Sequence, residues 1–252
     1  MTDILTLAWK EIRNFLKIWK QTIVPSVMTA VLYILIFGKF LWDQISAIEW
    51  VSYIHYIFPG LLMMSVIMWA YAITAFWFLS AKMFKSLEEL LVSPISKNRI
   101  ILGYVIAWVT RWVVVWIAVF VIASFFIDGV SVKYPILALV YTVLTAAAFA
   151  LAWILNGIYA KSWDDVNIIP NFVITPMIYL GWVFYSVSML GWFWQTISQF
   201  NPVLYMINGL RFAFLWISDV NPYISLIILI VFIIILYTWA LHLLKKGHWI
   251  RS

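Results

Sequence analysis

The chain has no cysteine, which excludes disulfides, thiolate metal sites and a cysteine nucleophile together. Charge is scarce as well: 10% of the 252 residues are Asp, Glu, Lys or Arg, against about 25% in an average soluble domain. Histidine occurs at His55, His242 and His248, far apart and without metal-ligand spacing. There is no glycine-rich phosphate loop ending in Gly-Lys-Ser/Thr, so the chain cannot bind and hydrolyse ATP by that route. Glycine itself is sparse, 9 residues against 17 tryptophans.

What fills the sequence instead is apolar. Hydrophobic residues make up 66% of it, more than a soluble fold of this length could bury. They gather in six stretches, over 22–38, 54–80, 100–127, 135–160, 168–190 and 222–244. A bilayer core about 30 Å thick needs roughly 20 helical residues to cross it. The first stretch, with 17, stands at the lower edge of that range. The pattern predicts an all-α integral membrane protein with six transmembrane helices in a single domain, 1–252.

The net charge of +6 follows the loops. Lys10, Arg13, Lys17 and Lys20 precede the first stretch, and Lys82, Lys85, Lys97 and Arg99 lie in the loop after the second. Lys161 follows the fourth, and Lys245, Lys246 and Arg251 follow the sixth. The alternate loops hold Lys39, Lys133 and Arg211. This asymmetry places both termini in the cytoplasm, which an even number of spans also requires. The basic balance therefore reads as topology and contact with anionic membrane lipids, not as a nucleic-acid footprint. No small-residue cleavage site ends the first apolar run, so that span is expected to stay as an anchor.

Residues 1–21 read as an interfacial amphipathic helix. Ile4, Ala8, Ile12, Phe15 and Trp19 share one face, and Lys10, Arg13, Lys17 and Lys20 occupy the other. In the loop 81–99, Ser86 and Glu89 have capping-box spacing and Lys85 stands four residues before Glu89. A short helix over about 87–92 follows, ended by Pro94; it either covers the span ends or docks into a partner. Segment 191–221 contains a 14-residue apolar run, Val203–Trp216, too short to span and expected to be re-entrant. Pro170 and Pro176 should bend or break the fifth span. Arg111 is the one charge inside a span, hence a functional candidate or, lying 12 residues beyond Arg99, a side chain that snorkels to the cytoplasmic end. Asp164-Asp165 is similar to half of an acidic Mg²⁺ site but lacks the further carboxylates such a site needs, and it reads as a helix N-cap.

Five stretches resemble one family. They are Phe58-Pro-Gly-Leu-Leu-Met-Met-Ser65, Leu87-Glu-Glu-Leu-Leu-Val-Ser-Pro94, and Leu155-Asn-Gly-Ile-Tyr-Ala-Lys161 with Asp164-Asp165. The others are Ile174-Thr-Pro-Met-Ile-Tyr-Leu-Gly181 with Phe184-Tyr185, and Asn201-Pro-Val-Leu-Tyr205 through Arg211. In that order they resemble the permease subunits of bacterial type-2 ABC exporters, across nearly the whole chain. The resemblance implies a multi-pass protein of the cytoplasmic (inner) membrane. It also implies a second permease copy in a homodimer, or a pair of similar permeases, bound to two copies of an ABC ATPase subunit. ATP and Mg would bind in those partners, with no cofactor in this chain and no catalysis by it. Ser86–Pro94 would be the coupling helix, with Glu88 and Glu89 giving polar contacts to the ATPase and Leu87, Leu90 and Leu91 apolar ones, next to Ser86. The cargo would be a lipid, polysaccharide, drug or other hydrophobic compound moved out of the cytoplasm. A polytopic membrane transferase acting on a lipid-linked substrate is the alternative, which would show carboxylates or histidines clustered at one membrane face. A channel would show a repeated polar stripe.

One departure stands out. Trp108, Trp112 and Trp116 recur every four residues, where glycine would make a small-xxx-small packing face. Trp182, after Gly181, stands where the family pattern leads one to expect glycine, as do Trp153 and Trp216. A source that reads UGA as glycine, with the codon rendered as tryptophan, would produce this pattern; so would a tryptophan-rich lineage.

Overall fold

The computed structural model describes residues 2–37, 51–127, 129–186, 189 and 191–246, with the backbone alone at 2, 69–78, 87, 88 and 91. Helix α1 (Thr2–Lys17) is amphipathic, as its spacing predicts, but its apolar side is covered by protein. Leu7, Ala8 and Phe15 are buried, while Lys10, Arg13 and Lys17 are exposed. Gly103 lies beneath Leu7, and a Cβ there would come within 2.8 Å of Leu7 Cδ2. The helix breaks at Ile18, and α2 (Trp19–Leu35) leaves at 67°. The expected face therefore ends at Phe15: Trp19 belongs to α2 and is exposed.

Helix α3 (Tyr53–Met83) is followed by the short α4 (Ser86–Val92) and by α5 (Lys97–Ser124). Next come α6 (Pro135–Tyr159), α7 (Trp163–Ile169), a π-helical turn (Pro170–Ile174) and α8 (Thr175–Tyr179). Helices α9 (Trp192–Gln199), α10 (Pro202–Leu215) and α11 (Pro222–Lys246) complete the order. Among the described residues α5, α6 and α11 are each long and apolar enough to cross a membrane, and the bent pair α1–α2 qualifies as a unit. The described residues form an all-α bundle, and α6 is its axis, packed against α3, α5, α10 and α11. Buried Ala138, Ala146, Ala148 and Ala150 let those neighbours approach closely.

The fifth apolar stretch is interrupted, as its prolines predict. Its helical path stops at Tyr179 and turns, so 168–190 is not one helix. The reason begins at Pro170, which has no N–H to give the Val166 carbonyl one turn earlier. The next turn widens, and the Thr175 N–H reaches the Pro170 carbonyl. Asn156, buried in α6, donates from Nδ2 to that Val166 carbonyl at 3.0 Å. The asparagine of the Leu155-Asn-Gly stretch thus supplies the bond that the proline removes.

Segment 191–221 holds the two short helices α9 and α10, and Asn201 caps α10 by accepting from the Val203 N–H at 3.0 Å. Before α7 the N-cap is Ser162 rather than Asp164 or Asp165. Ser162 Oγ accepts from the Asp165 N–H, and the Asp165 carboxylate accepts from the Ser162 N–H, closing a capping box. That carboxylate also accepts from the Lys161 N–H, and these bonds hold its pKa below the ordinary value.

Replacing Asn156 by alanine should remove its hydrogen bond to the Val166 carbonyl, at about 1 kcal/mol. Thermal unfolding in detergent would register it as a lowered Tm, with Asn167→Ala, which removes an exposed bond to the Trp163 carbonyl, as a near-silent control.

Candidate functional site

The loops rich in lysine and arginine meet at one end of the bundle. Arg99 at the start of α5 pairs with Asp3 of α1 at 2.8 Å, and Lys97 donates to the Lys245 carbonyl at the end of α11 at 3.5 Å. Lys82 donates to the Ile158 and Ala160 carbonyls at 3.1 and 2.9 Å, a cation on the C-terminal end of α6. Helix α4 lies at this end, against α3.

Its start differs from the expected capping box. The N-cap position is Lys85, in the left-handed region at φ 58°, and Ser86 Oγ donates back to the Ala81 carbonyl at 3.2 Å. Lys85 and Glu89 meet through the backbone, Glu89 N–H to Lys85 carbonyl at 3.2 Å. Leu90 is half-buried against the bundle core, whereas Glu89 and Val92 face outward. The side chains of Leu87, Glu88 and Leu91 lie outside the described residues. Phe84 and Val92 are 81% and 87% exposed, so an apolar surface accompanies α4 at the basic end.

Beside α4 opens a cleft of about 420 Å³, lined among others by Lys10, Glu11, Asn14, Tyr104 and Trp163. Burial raises the Glu11 carboxyl above its ordinary pKa, opposed by Lys10, by a hydrogen bond with Asn14 and by Arg111. Arg111 itself does not snorkel. It is 4% exposed, donates from Nη2 to Thr22 Oγ1 of α2 at 2.6 Å, and lies 5.0 Å above the Phe15 ring of α1. One guanidinium thus ties the α1–α2 corner to α5.

The opposite end carries a polar cluster that sequence reasoning missed. Arg211 of α10 is fully buried and pairs with Asp219 at 3.2 Å. Its guanidinium stacks 4.0 Å above the Tyr56 ring of α3 and donates to the Trp182 carbonyl. Asp219 also accepts from Ser186 Oγ at 2.7 Å and from the Tyr56 hydroxyl at 3.3 Å. Asn208, one turn before Arg211, accepts from the Asp219 N–H at 2.9 Å and donates to the Val220 carbonyl at 2.7 Å. The signal was available: an arginine in an apolar run, followed eight residues later by an aspartate on the next loop.

Replacing Asp219 by alanine should strand the buried Arg211 charge, at about 3 kcal/mol, the lower part of the range because Asp219 keeps some exposure. The double variant Arg211→Met with Asp219→Leu should lose less than the two single changes combined. Tm values in detergent for this double variant and for Arg211→Met and Asp219→Leu alone would test this coupling.

Comparison with known proteins accords with this architecture. The ABC-2 type transporter family pattern matches residues 2–215. The chain is 45% identical over 243 residues to the inner membrane transport permease YadH of Escherichia coli strain K12, covering 96% of this chain and 94% of that protein. YadH of Shigella flexneri aligns with the same identity and coverage. Nodulation protein J of Rhizobium leguminosarum bv. viciae is 23% identical over 241 residues, 93% of this chain and 92% of that protein. The chain belongs to the ABC-2 type transporter family, as a non-catalytic, multi-pass transport permease of the inner membrane.

Proposed function

We propose that this permease works as half of an ATP-driven exporter, two copies forming the membrane pathway and two ABC ATPase subunits driving it from the cytoplasm. The observation that carries the reading is α4 with Phe84 and Val92, an apolar surface at the end of the bundle where the basic loops gather. Basic loops remain on the cytoplasmic side, so this surface faces water unless a soluble partner covers it. The partner is the ATPase, and Ser86–Pro94 with Glu89 and Val92 outward is its docking element. ATP and Mg bind in the ATPase. The cargo class is a lipid, polysaccharide, drug or other hydrophobic compound, and the cleft beside α4 is where its polar part first meets this chain.

The same reading assigns six crossings: α2, α3, α5, α6, the α7–π–α8 path and α11. It places residues 1–21 at the cytoplasmic interface and α9–α10 as a re-entrant pair on the far side. Reporter fusions at Lys97 and Lys246 should report cytoplasm, and fusions at Gly129 and Asp219 the opposite side. A reversed signal at either pair would sink the topology.

Docking has its own test. Phe84→Asp with Val92→Asp would bury unpaired carboxylates in the ATPase groove, at about 3–5 kcal/mol. Co-purification of the ATPase should fall at least tenfold while membrane levels of the permease stay unchanged. Leu90→Asp, which strikes the side chain packed on the bundle, should lower the permease level itself. Retention of the ATPase at wild-type yield by the Phe84/Val92 variant would remove α4 from the interface.

A further inference from the structure

We propose that the protein made in its source cell carries glycine at the positions read as Trp108, Trp112, Trp116, Trp153, Trp182 and Trp216, because that cell decodes UGA as glycine. The reading rests on backbone conformation, burial and spacing, independently of the transport proposal.

Backbone conformation speaks first. Among the described residues the non-glycine residues with positive φ are Lys85, Trp182 and Trp216, and the two tryptophans stand at 65° and 66°. A bulky side chain is disfavoured there because its Cβ crowds the carbonyl, whereas glycine enters freely. Trp216 is the left-handed residue that ends α10, its N–H bonded to the Phe212 carbonyl at 3.0 Å, the position where helices most often place glycine. Trp182 follows Gly181 in the turn after α8, and its φ sets the carbonyl that Arg211 binds. Adjacent Gly181 is equally confined: a Cβ there would lie 2.8 Å from Val203 Cγ1.

Burial gives the second argument. Trp108, Trp112, Trp116, Trp153 and Trp182 are between 0% and 8% exposed. The indole N–H can only donate, and a buried tryptophan ordinarily finds it an acceptor. The N–H groups of Trp112, Trp116 and Trp182 have no hydrogen-bond partner. Trp216, 55% exposed, is carried by its backbone conformation instead, and tryptophans outside the six differ in both respects. Trp9, Trp19, Trp163, Trp192, Trp194 and Trp239 are 38% to 79% exposed, on the periphery where an amphipathic ring suits the edge of a bilayer.

Spacing completes it. Trp108, Trp112 and Trp116 fall one turn apart on the buried face of α5, and α5 packs on α6, whose buried residues include many alanines. Three glycines there would let the two backbones close up as membrane helices do at small-residue seams. Three indoles demand the opposite, a wide gap filled by rings.

The test reads codons and peptides together. The gene should carry UGA at all six positions, and mass spectrometry of the permease isolated from its own cells should find glycine at each of them. The Trp192-Phe193-Trp194 segment is the internal control and should keep both indoles. A UGG codon at any of the six, or tryptophan in the native peptides spanning Trp182 or Trp216, overturns the proposal. A second measurement uses protein made in a standard host. The chain with all six Trp→Gly changes should be monodisperse in detergent and melt at a higher temperature than the chain as read. Equal or greater stability of the tryptophan form would count against it as firmly as a UGG codon.

Discussion

Every backbone N–H and C=O inside a bilayer must be satisfied by the protein itself, and most of the structure can be traced to that requirement. Long helices meet it automatically except at their ends and at prolines. At those places particular side chains take over: Lys82 on the last carbonyls of α6, Lys133 on the Leu215 carbonyl of α10 at 3.3 Å, Asn201 on the first turn of α10. Pro170 shows the rule most clearly, because the bond it removes is restored from another helix by Asn156. Residues of the family-like stretches, Asn156 and Asn201 among them, thus close backbone valences where a helix is interrupted or begins.

The same requirement explains why two arginines are tolerated in the interior. Each has aromatic faces and hydrogen-bond acceptors drawn from separate segments: Thr22 and Phe15 for Arg111, and Asp219, Tyr56 and the Trp182 carbonyl for Arg211. A charge that costs several kcal/mol when alone in lipid becomes a fastener once its partners sit on different helices. Arg111 closes the α1–α2 corner against α5 at the basic end. Arg211 joins α3, α10 and two loops at the other.

Much of this was legible in the sequence. Apolar run lengths marked the long helices, the loop charges distinguished the two ends, and Pro170 marked the break in the fifth stretch. The misses were local competitions. Ser86 and Glu89 have capping-box spacing, but the chain enters α4 through a left-handed Lys85, so Ser86 turns back to Ala81. Asp164 and Asp165 were the expected caps, yet Ser162, two residues before Asp164, takes that place with Asp165 as its reciprocal partner. The inward packing of Leu90 could not be told from periodicity, since a seven-residue helix has room for an apolar side toward either neighbour. The Arg211–Asp219 cluster needs the fold, because it is assembled from segments far apart in the chain.

These parts are connected by α3. It spans 31 residues, about 46 Å at 1.5 Å per residue, with α4 hinged at its C-terminal end and Tyr56 in its first turn. Gly60, one turn further, is held against the Val183 backbone, where a Cβ would stand 2.9 Å from the carbonyl oxygen. A helix resists compression along its axis, so under the proposed docking a push on α4 that reached α3 would be felt at Tyr56 and Gly60, which touch the Arg211–Asp219 pair and Val183. The cluster keeps one edge in water through Asp219, while Arg211 and Tyr56 are among the largest fully buried side chains of the bundle. Under the proposed function α3 thus joins the ATPase contact at one end of the bundle to the Arg211–Asp219 cluster at the other.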